Sequence, residues 1–466
     1  MFDIIVIGGG PGGYRAAERA GHAGLSVLLI EKRALGGVCL NEGCIPSKTL
    51  LHSAKIYDYA RHGEVYGVST KDAALDHSAV MARKNKVVRK LVAGVKALMK
   101  GNNVKVIEGV AHIVDAHHVK VNDEVHEGKR FIIATGSEPV IPPIDGVAEG
   151  MTSGLVLTNR EILDLPKIPN NLVVVGGGVV GLEMASYFNA AGSKVTVIEM
   201  LPNIAGATDA DISTILLDNY VKKGIEFKLN TRVTAIKDGS VQFEREPGTV
   251  SPNPGVSPNP GASPNPDAVP ADKVLLSIGR KPVTTGFGLE KTGVLLERGA
   301  IVTDRHCLTN IPNIYAVGDV NGKYMLAHVA YREAEVAVHH IVGKRDVMRY
   351  HAVPSVIYTS PEVAGVGETE ATAAEKGIAY EVAKLPMMYS GRYVAENSVT
   401  DGICKVLVNK KDRTVIGVHM IGSYASEMIV SACMMIEMQM RVEDAQEIIF
   451  PHPTVSEMMR EAVFKL

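Results

Sequence analysis

The chain has no tryptophan, and aromatic residues make up only 5% of its 466 positions. That argues against a base-stacking platform of the kind single-stranded nucleic-acid binders use. Charge of one sign is not in excess either: 49 Lys and Arg stand against 51 Asp and Glu, a net charge of −2. No basic field marks a nucleic-acid partner, and no Lys/Arg run marks a membrane surface. No apolar run reaches the length of a membrane span. Met1 to Ile7 lead straight into strand-forming residues without a basic n-region, so no leader and a cytoplasmic location are expected. Cysteine is scarce: five residues are an odd count and too sparse for a disulfide scaffold. A reducing compartment follows, where a disulfide is usually catalytic.

What is present is glycine in a pattern. Ile4 to Ile7 read as a strand, Gly8-x-Gly10-x-x-Gly13 as a tight turn, and the Ala-rich residues after it as a helix. A second strand, Val27 to Ile30, ends in Glu31. Such glycines permit a sharp turn, close approach to a pyrophosphate and close helix–strand packing, with the pyrophosphate on the helix N-terminus. Glu31 is placed to accept hydrogen bonds from an adenosine ribose. The pattern restarts about 168 residues on: Leu172 to Val175, then Gly176-x-Gly178-x-x-Gly181, a helix with Glu183, and Lys194 to Ile198 ending in Glu199. A carboxylate there accepts from the free 2′-OH of NAD and repels the 2′-phosphate of NADP. The turn Met200 to Gly206 offers no Arg to that phosphate, so NAD(H) is expected.

Between the two lies Cys39-Leu-Asn-Glu-Gly-Cys44-Ile-Pro46-Ser-Lys48. Pro46 suits the first turn of a helix, which puts Cys44 at or just before its N-terminus, where partial positive charge favours a thiolate. Residues five apart on one regular helix have Cα atoms about 8–9 Å apart. A disulfide tolerates about 7 Å at most. A bridge would therefore need the Cys39 end to leave the helix, with Gly43 allowing the bend. A redox pair, two buried thiols and half of a zinc site all remain open on these residues alone. Two dinucleotide sites beside such a pair point to a path of nicotinamide, flavin and disulfide, with FAD in the first site and NAD in the second.

The rest is plainer. Residues 49–100 read as two amphipathic helices, with His52, Tyr57 and Tyr59 given no role. Residues 104–141 read as short strands, ending in an apolar run to Ala134-Thr135-Gly136-Ser137. Three Ser-Pro-Asn-Pro repeats fall within 247–270, read as an exposed loop at the tip of a strand pair, Ser240 to Glu244 and Lys273 to Arg280. Leu308 to Asp319 read as a strand ending in Gly-Asp. A Met-rich helix, Glu427 to Met440, reads as core or subunit interface. Near the C-terminus, His452 lies between prolines and Glu457 follows five on, near a helix start that Thr454 or Ser456 could cap. A carboxylate bonded to one imidazole nitrogen makes the other a better base, although such a spacing is more often structural.

Taken in order, the two fingerprints, Gly37-Val-Cys39-Leu-Asn-x-Gly43-Cys44-Ile-Pro-Ser-Lys48, Ala134-Thr135-Gly136, Tyr315-Ala-Val-Gly-Asp319 and His452-Pro-Thr-x-Ser-Glu457 resemble the flavoprotein disulfide reductases, over essentially the whole chain. The resemblance implies an α/β fold with two Rossmann-like dinucleotide-binding domains and a C-terminal α+β dimerisation domain. Its expected boundaries are 1–145 for the first FAD-binding part, 146–280 for the NAD-binding domain, 281–347 for the part completing the FAD site and 348–466 for the interface. It implies that Cys44 is the flavin-proximal thiolate and Cys39 the interchange thiol, with Lys48 near the flavin and paired with Glu183. Glu31, Ala111, Thr135, Gly136, Ser137, Asp319, Met325, Leu326, Ala327 and His328 would line FAD. Gly176, Gly178, Gly181, Glu183, Glu199, Val233 and Gly279 would line NAD. His452, oriented by Glu457, would be the acid/base and come from the other subunit of a homodimer. The implied reaction oxidises a dihydrolipoyl group carried by another protein of a multienzyme complex, with no metal, nucleic acid or membrane involved. The alternative is another disulfide or metal-ion reductase of the same family. A glutathione-type enzyme is disfavoured by Glu199, and the C-terminal cysteine pair of a mercuric reductase is missing. Two departures stand out: the Pro-Asn-Pro insertion, and Phe450 where a His is often found.

Overall fold

The computed structural model describes residues 1–245, 267–399 and 401–466. The Pro-rich repeats of 251–266 lie outside them. The chain forms two compact units. One is built from Met1–Thr49, Met81–Val140 and Gly279–Arg349, the other from Leu50–Val80, Ile141–Ile278 and Tyr350–Leu466.

In the first unit the strand Phe2–Ile7 sits between Val27–Glu31 and Glu124–Ile133, parallel to both. Lys105–Glu108 extends the sheet beyond Val27–Glu31, and Ile314–Ala316 pairs parallel with Glu124–Ile133. Ile4, Ile5, Leu28, Leu29, Phe131 and Ile132 are fully buried. Continuous apolar runs of this kind suit strands covered on both faces. Helix Pro11–His22 and helix Ala327–Ile341 lie in this unit, their small residues Ala16, Ala17, Ala20, Ala330 and Ala334 buried. The far half of Glu124–Ile133 turns antiparallel against His118–Val121.

The second unit repeats the arrangement. Its parallel sheet runs Glu226–Lys228, Lys194–Ile198, Asn171–Val175, Lys273–Leu276, Val156–Leu157. Here one sequence expectation is corrected. Ser240–Arg245 does not pair with the strand beginning at Lys273; it pairs antiparallel with Asp267–Pro270 and with Thr231–Lys237. Lys273–Leu276 belongs to the parallel sheet, where Val274 and Leu275 are fully buried. Those apolar residues gain more between two sheet neighbours than at a half-exposed ribbon edge. The last four residues of the 247–270 segment are therefore strand, not loop.

The C-terminal part of the same unit is an antiparallel sheet ordered Ser355–Ile357, Val363–Gly367, Val415–Ile421, Ile403–Asn409, Tyr380–Pro386. Helix Ala425–Glu437 packs Met428, Ile429 and Met435 into its core, while Met434 and Met438 face outward. Among the described residues, no helix is long and apolar enough to cross a membrane.

Candidate active site

Four loops of the first unit leave the carboxyl ends of four parallel strands. Ile7 is in register with Ile30 and Ile133, and Ala316 with Ile133. The loops carry Gly8 to Gly13, Glu31, Ala134 to Ser137, and Gly318 with Asp319. This is the edge where open α/β sheets bind ligands. Gly8 turns the chain at φ +107°, and a Cβ there would lie 2.2 Å from the Ala134 carbonyl oxygen. A Cβ on Gly13 would lie 1.8 Å from the Gly8 oxygen. Helix Pro11–His22 starts from an extended Gly10 with no side-chain cap, so its first N–H groups are left for an anion. Glu31 is buried, and its carboxylate accepts from Gly9 N–H (2.6 Å) and Arg33 N–H (2.8 Å). A glycine cradle, an uncapped helix start and a fixed carboxylate fit the pyrophosphate and ribose of FAD.

Ser137 Oγ donates to Asp319 Oδ2 (2.5 Å) and accepts from Arg280 Nε (2.7 Å), while Arg280 Nη2 donates to Ser137 O (2.8 Å). Gly318 N–H donates to the fully buried Glu333 (2.6 Å), which fixes the turn bearing Asp319. Thr135 Oγ1 donates to Val283 O (2.7 Å). Gly136 adopts φ +74°. Leu326 stands at the start of helix Ala327–Ile341, Met325 and Ala327 are half-buried, and His328 is exposed. Ala111 is core, packed with Ile113 and Phe287. Arg280 and Glu333 were not singled out in the sequence. Arg280 is a charge four residues past the apolar strand Lys273–Leu276, a signal that could have been followed. Glu333 sits inside a helix and gave none.

The redox segment enters this loop cluster through Gly36 and Gly37, both with positive φ. Gly36 N–H donates to Gly9 O (2.8 Å), and a Cβ on Gly37 would lie 2.6 Å from Gly10 Cα. Cys39 then lies inside the short helix Gly37–Glu42, so it does not leave helical geometry as expected. The break falls at Gly43 (φ −150°, ψ −113°), and Cys44 opens a separate helix, Cys44–Arg61. Two helices meeting at a glycine bring the thiols together without unwinding either. The two cysteines are separate thiols. The Cys39 thiol is pushed far up, first by its hydrogen bond with Cys44 and then by burial, with Lys48 opposing. Lys48 Nζ donates to Ser47 Oγ (3.4 Å), one turn into the helix.

The second unit holds the other glycine turn. Gly176 takes φ +103°, Gly178 is an extended, uncapped start to helix Val179–Ala190, and a Cβ on Gly181 would lie 2.4 Å from Gly176 O. Glu199 accepts from Gly177 N–H (2.6 Å) and Leu201 N–H (2.9 Å). Glu183 is buried, and its Oε1 accepts from Tyr358 N–H (3.1 Å). Val233 is buried at a bulge in Thr231–Lys237. Gly279, in the first unit, takes φ +114° and accepts from Val140 N–H (3.0 Å). Within the second unit, Gly176, Gly178, Gly181 and Glu199 fit a second dinucleotide.

Near the C-terminus the His452 imidazole lies 78% exposed, its Nδ1 2.9 Å from Glu457 Oε1. Glu457 Oε2 accepts from Thr454 N–H (2.8 Å). The N–H of Thr454 comes first in holding Glu457 below the usual carboxylate range; burial works against it, and the imidazole adds to it. The capping expectation is corrected: Ser456 is the N-cap residue of helix Glu457–Val463 but makes no side-chain cap bond. Thr454 Oγ1 instead donates to Pro451 O (2.8 Å), and the carboxylate of Glu457 takes the Thr454 N–H. Among the described residues, none bonds Nε2 of His452.

Residues 2–334 match the family model described as pyridine nucleotide-disulphide oxidoreductase, and residues 353–463 match its dimerisation domain. The chain is 39% identical to dihydrolipoyl dehydrogenase of Chlamydia muridarum, across 99% of this chain and 96% of that protein. It is 38% identical to dihydrolipoyl dehydrogenase of Bacillus subtilis, across 99% and 95%. Among solved structures it is similar to the HOCl-induced flavoprotein disulfide reductase RclA from Escherichia coli, with 28% identity, 99% of each chain covered and a TM-score of 0.85.

Proposed function

Because the chain belongs to the pyridine nucleotide-disulphide oxidoreductases, whose enzymes use FAD and NAD(H), we propose that it is a dihydrolipoyl dehydrogenase. It oxidises a protein-bound dihydrolipoyl group to lipoyl and reduces NAD⁺ to NADH. The observation that carries the reading is the pair Cys39 and Cys44, hydrogen-bonded across the Gly43 break beside the first glycine turn. Full-length likeness to enzymes of that name supports it.

The residues divide the work as follows. The Glu457-bound imidazole of the partner subunit's His452 takes a proton from one dihydrolipoyl thiol. The resulting thiolate attacks Cys39 of the Cys39–Cys44 disulfide; an S–S bond forms to substrate and Cys44 leaves as thiolate. The second lipoyl thiol attacks the same substrate sulfur, closes the dithiolane ring and releases Cys39, which regains a proton. Two electrons have then moved from substrate to the cysteine pair. Bound FAD supplies the route by which that pair is reoxidised and a hydride reaches NAD⁺. Gly8, Gly10, Gly13, Glu31, Ser137, Asp319 and Lys48 would hold FAD. Gly176, Gly178, Gly181 and Glu199 hold NAD. Glu199 favours the unphosphorylated ribose. Residues 353–463 make a homodimer, and a lipoyl carrier of a multienzyme complex is the partner.

Anaerobic titration of the purified protein with dihydrolipoamide, followed by NAD⁺, tests this. A long-wavelength thiolate–flavin absorption band, absent in Cys44→Ser, and then NADH are expected. A yellow protein that NADH reduces but dihydrolipoamide does not would overturn the substrate and leave the family.

A further inference from the structure

Far from both cysteines in sequence, Lys405 is buried with 2% of its side chain exposed. It sits on the strand Ile403–Asn409, directly opposite Lys384 on one side and His419 on the other, in register across three antiparallel strands. Its Nζ donates to Asp209 Oδ1 (3.1 Å) and Oδ2 (2.9 Å), to Asp211 Oδ2 (2.9 Å) and to Glu370. Lys384 Nζ reaches the other oxygen of Asp211 (3.0 Å). The third member of the row, His419, is buried and bonds Glu368 O (2.8 Å). Burial works against a charge on Lys405, and its hydrogen bonds to Glu370, Asp211 and Asp209 outweigh that and keep it protonated. A charge this deep is costly unless its partners are held in place.

The acids are placed at a useful point. Asp209 caps helix Ala210–Lys222 by accepting from Asp211 N–H (3.1 Å). From that helix, Ser213 Oγ donates to Ile204 O (2.8 Å). The next residue, Ala205, donates its N–H to Gly177 O (2.8 Å), and Gly177 N–H donates to Glu199. Hydrogen bonds joined by short stretches of backbone therefore link Lys405, in the region matching the dimerisation domain, to the turn 200–208 and the second glycine turn.

We propose that Lys405 is a positioning residue for nicotinamide-nucleotide binding, acting through Asp209, Ser213 and Ala205 on Gly177 and Glu199. The inference rests on the reading of the second glycine turn as the NAD site. Removing the ammonium leaves Asp209, Asp211 and Glu370 without their shared cation, with Lys384 still paired to Asp211. Their repulsion shifts the helix start, and the 200–208 turn moves with it. A misplacement on the order of 1 Å can cost up to about a hundredfold in function.

The test uses the flavin-loaded protein and compares Lys405→Met and Ser213→Ala with wild type. NADH affinity is read by flavin reduction under anaerobic titration, and the dihydrolipoamide-to-flavin half-reaction is measured alongside. Each substitution is expected to weaken NADH binding, about tenfold for Lys405→Met and less for Ser213→Ala, and to leave the dithiol half-reaction unchanged. The double variant is expected to lose less than the product of the two, because both act on one path. Should Lys405→Met fail to fold, Ser213→Ala, which only deletes a hydroxyl, decides. Wild-type NADH binding in the folded variants overturns the proposal and leaves the NAD site standing. Wild-type protein that ignores NADH overturns the NAD site and this proposal together.

Discussion

At Gly12 the first glycine turn is closely packed: a Cβ there would lie 3.0 Å from Val317 Cγ2 and 3.6 Å from Ala330 Cβ. The matching position 168 residues on is Val180, and it is 41% exposed. The backbone is otherwise the same in both turns, with φ +107° and +103° at the leading glycine. Each has an uncapped helix start and a glutamate accepting the N–H of the middle glycine. The surroundings differ. The first turn is walled by helix Ala327–Ile341 and by the redox segment, whose Gly37 abuts Gly10. In the second, Val179 and Val180 stand open, and Glu199 is only half-buried where Glu31 is buried. One local motif thus stands in two settings, enclosed and open, and on the proposed reading the first keeps FAD while the second exchanges NAD.

Substitutions at equivalent positions break the comparison most sharply. Gly13→Ala puts a methyl 1.8 Å from Gly8 O and should leave the purified protein without bound flavin. Gly181→Ala, with its methyl 2.4 Å from Gly176 O, should stay yellow and lose reduction by NADH. Absorbance spectra before and after NADH decide; colourless Gly181→Ala protein would mean that the second turn also supports the first site. Next come the two acids. Removing a charge-assisted acceptor costs about 10- to 100-fold in affinity. Glu199→Gln should lose that much for NADH with flavin retention unchanged. Glu31→Gln should release FAD faster on dilution and leave NADH affinity alone. A smaller effect, about fourfold on the NADH Kd, is expected for Val180→Ser, which removes roughly one buried CH₂ equivalent. Gly12→Ala should do more damage than Val180→Ser although it changes less.

The smallest effect falls outside both turns and serves as their control. Glu457 has a carboxyl held below its ordinary value of 4.5, first by the Thr454 N–H. A depressed folded-state pKa adds stability above that ordinary value, and the contribution is lost as pH falls through the folded value. The difference in Tm between wild type and Glu457→Gln should therefore shrink as pH falls below about 5. Flavin content should not change across that range.

Both glycine turns, the acids ending the second strands and the Cys39–Cys44 segment were legible in the amino-acid order. Each is settled within about 25 residues of chain, where strand, turn and helix follow from local sterics and hydrophobic pattern. The His452–Glu457 pair was legible for the same reason, although the hydroxyls expected to cap its helix do not. What escaped were long-range choices. Nothing local told Asp267–Pro270 from Lys273–Leu276 as the partner of Ser240–Arg245, because both are short and only the parallel sheet's need for an interior strand separates them.

The sequence alone determined the backbone shapes of the two glycine turns, the acids beside them and the pair of thiols. Tertiary structure decided which turn is enclosed, since Val317 and Ala330 come from more than 300 residues away. It also decided that Lys405 meets Asp209, Asp211 and Glu370, four residues spread over 197 positions with no shared motif. Local sterics act between neighbours in sequence, and enclosure and buried charge act between neighbours in space.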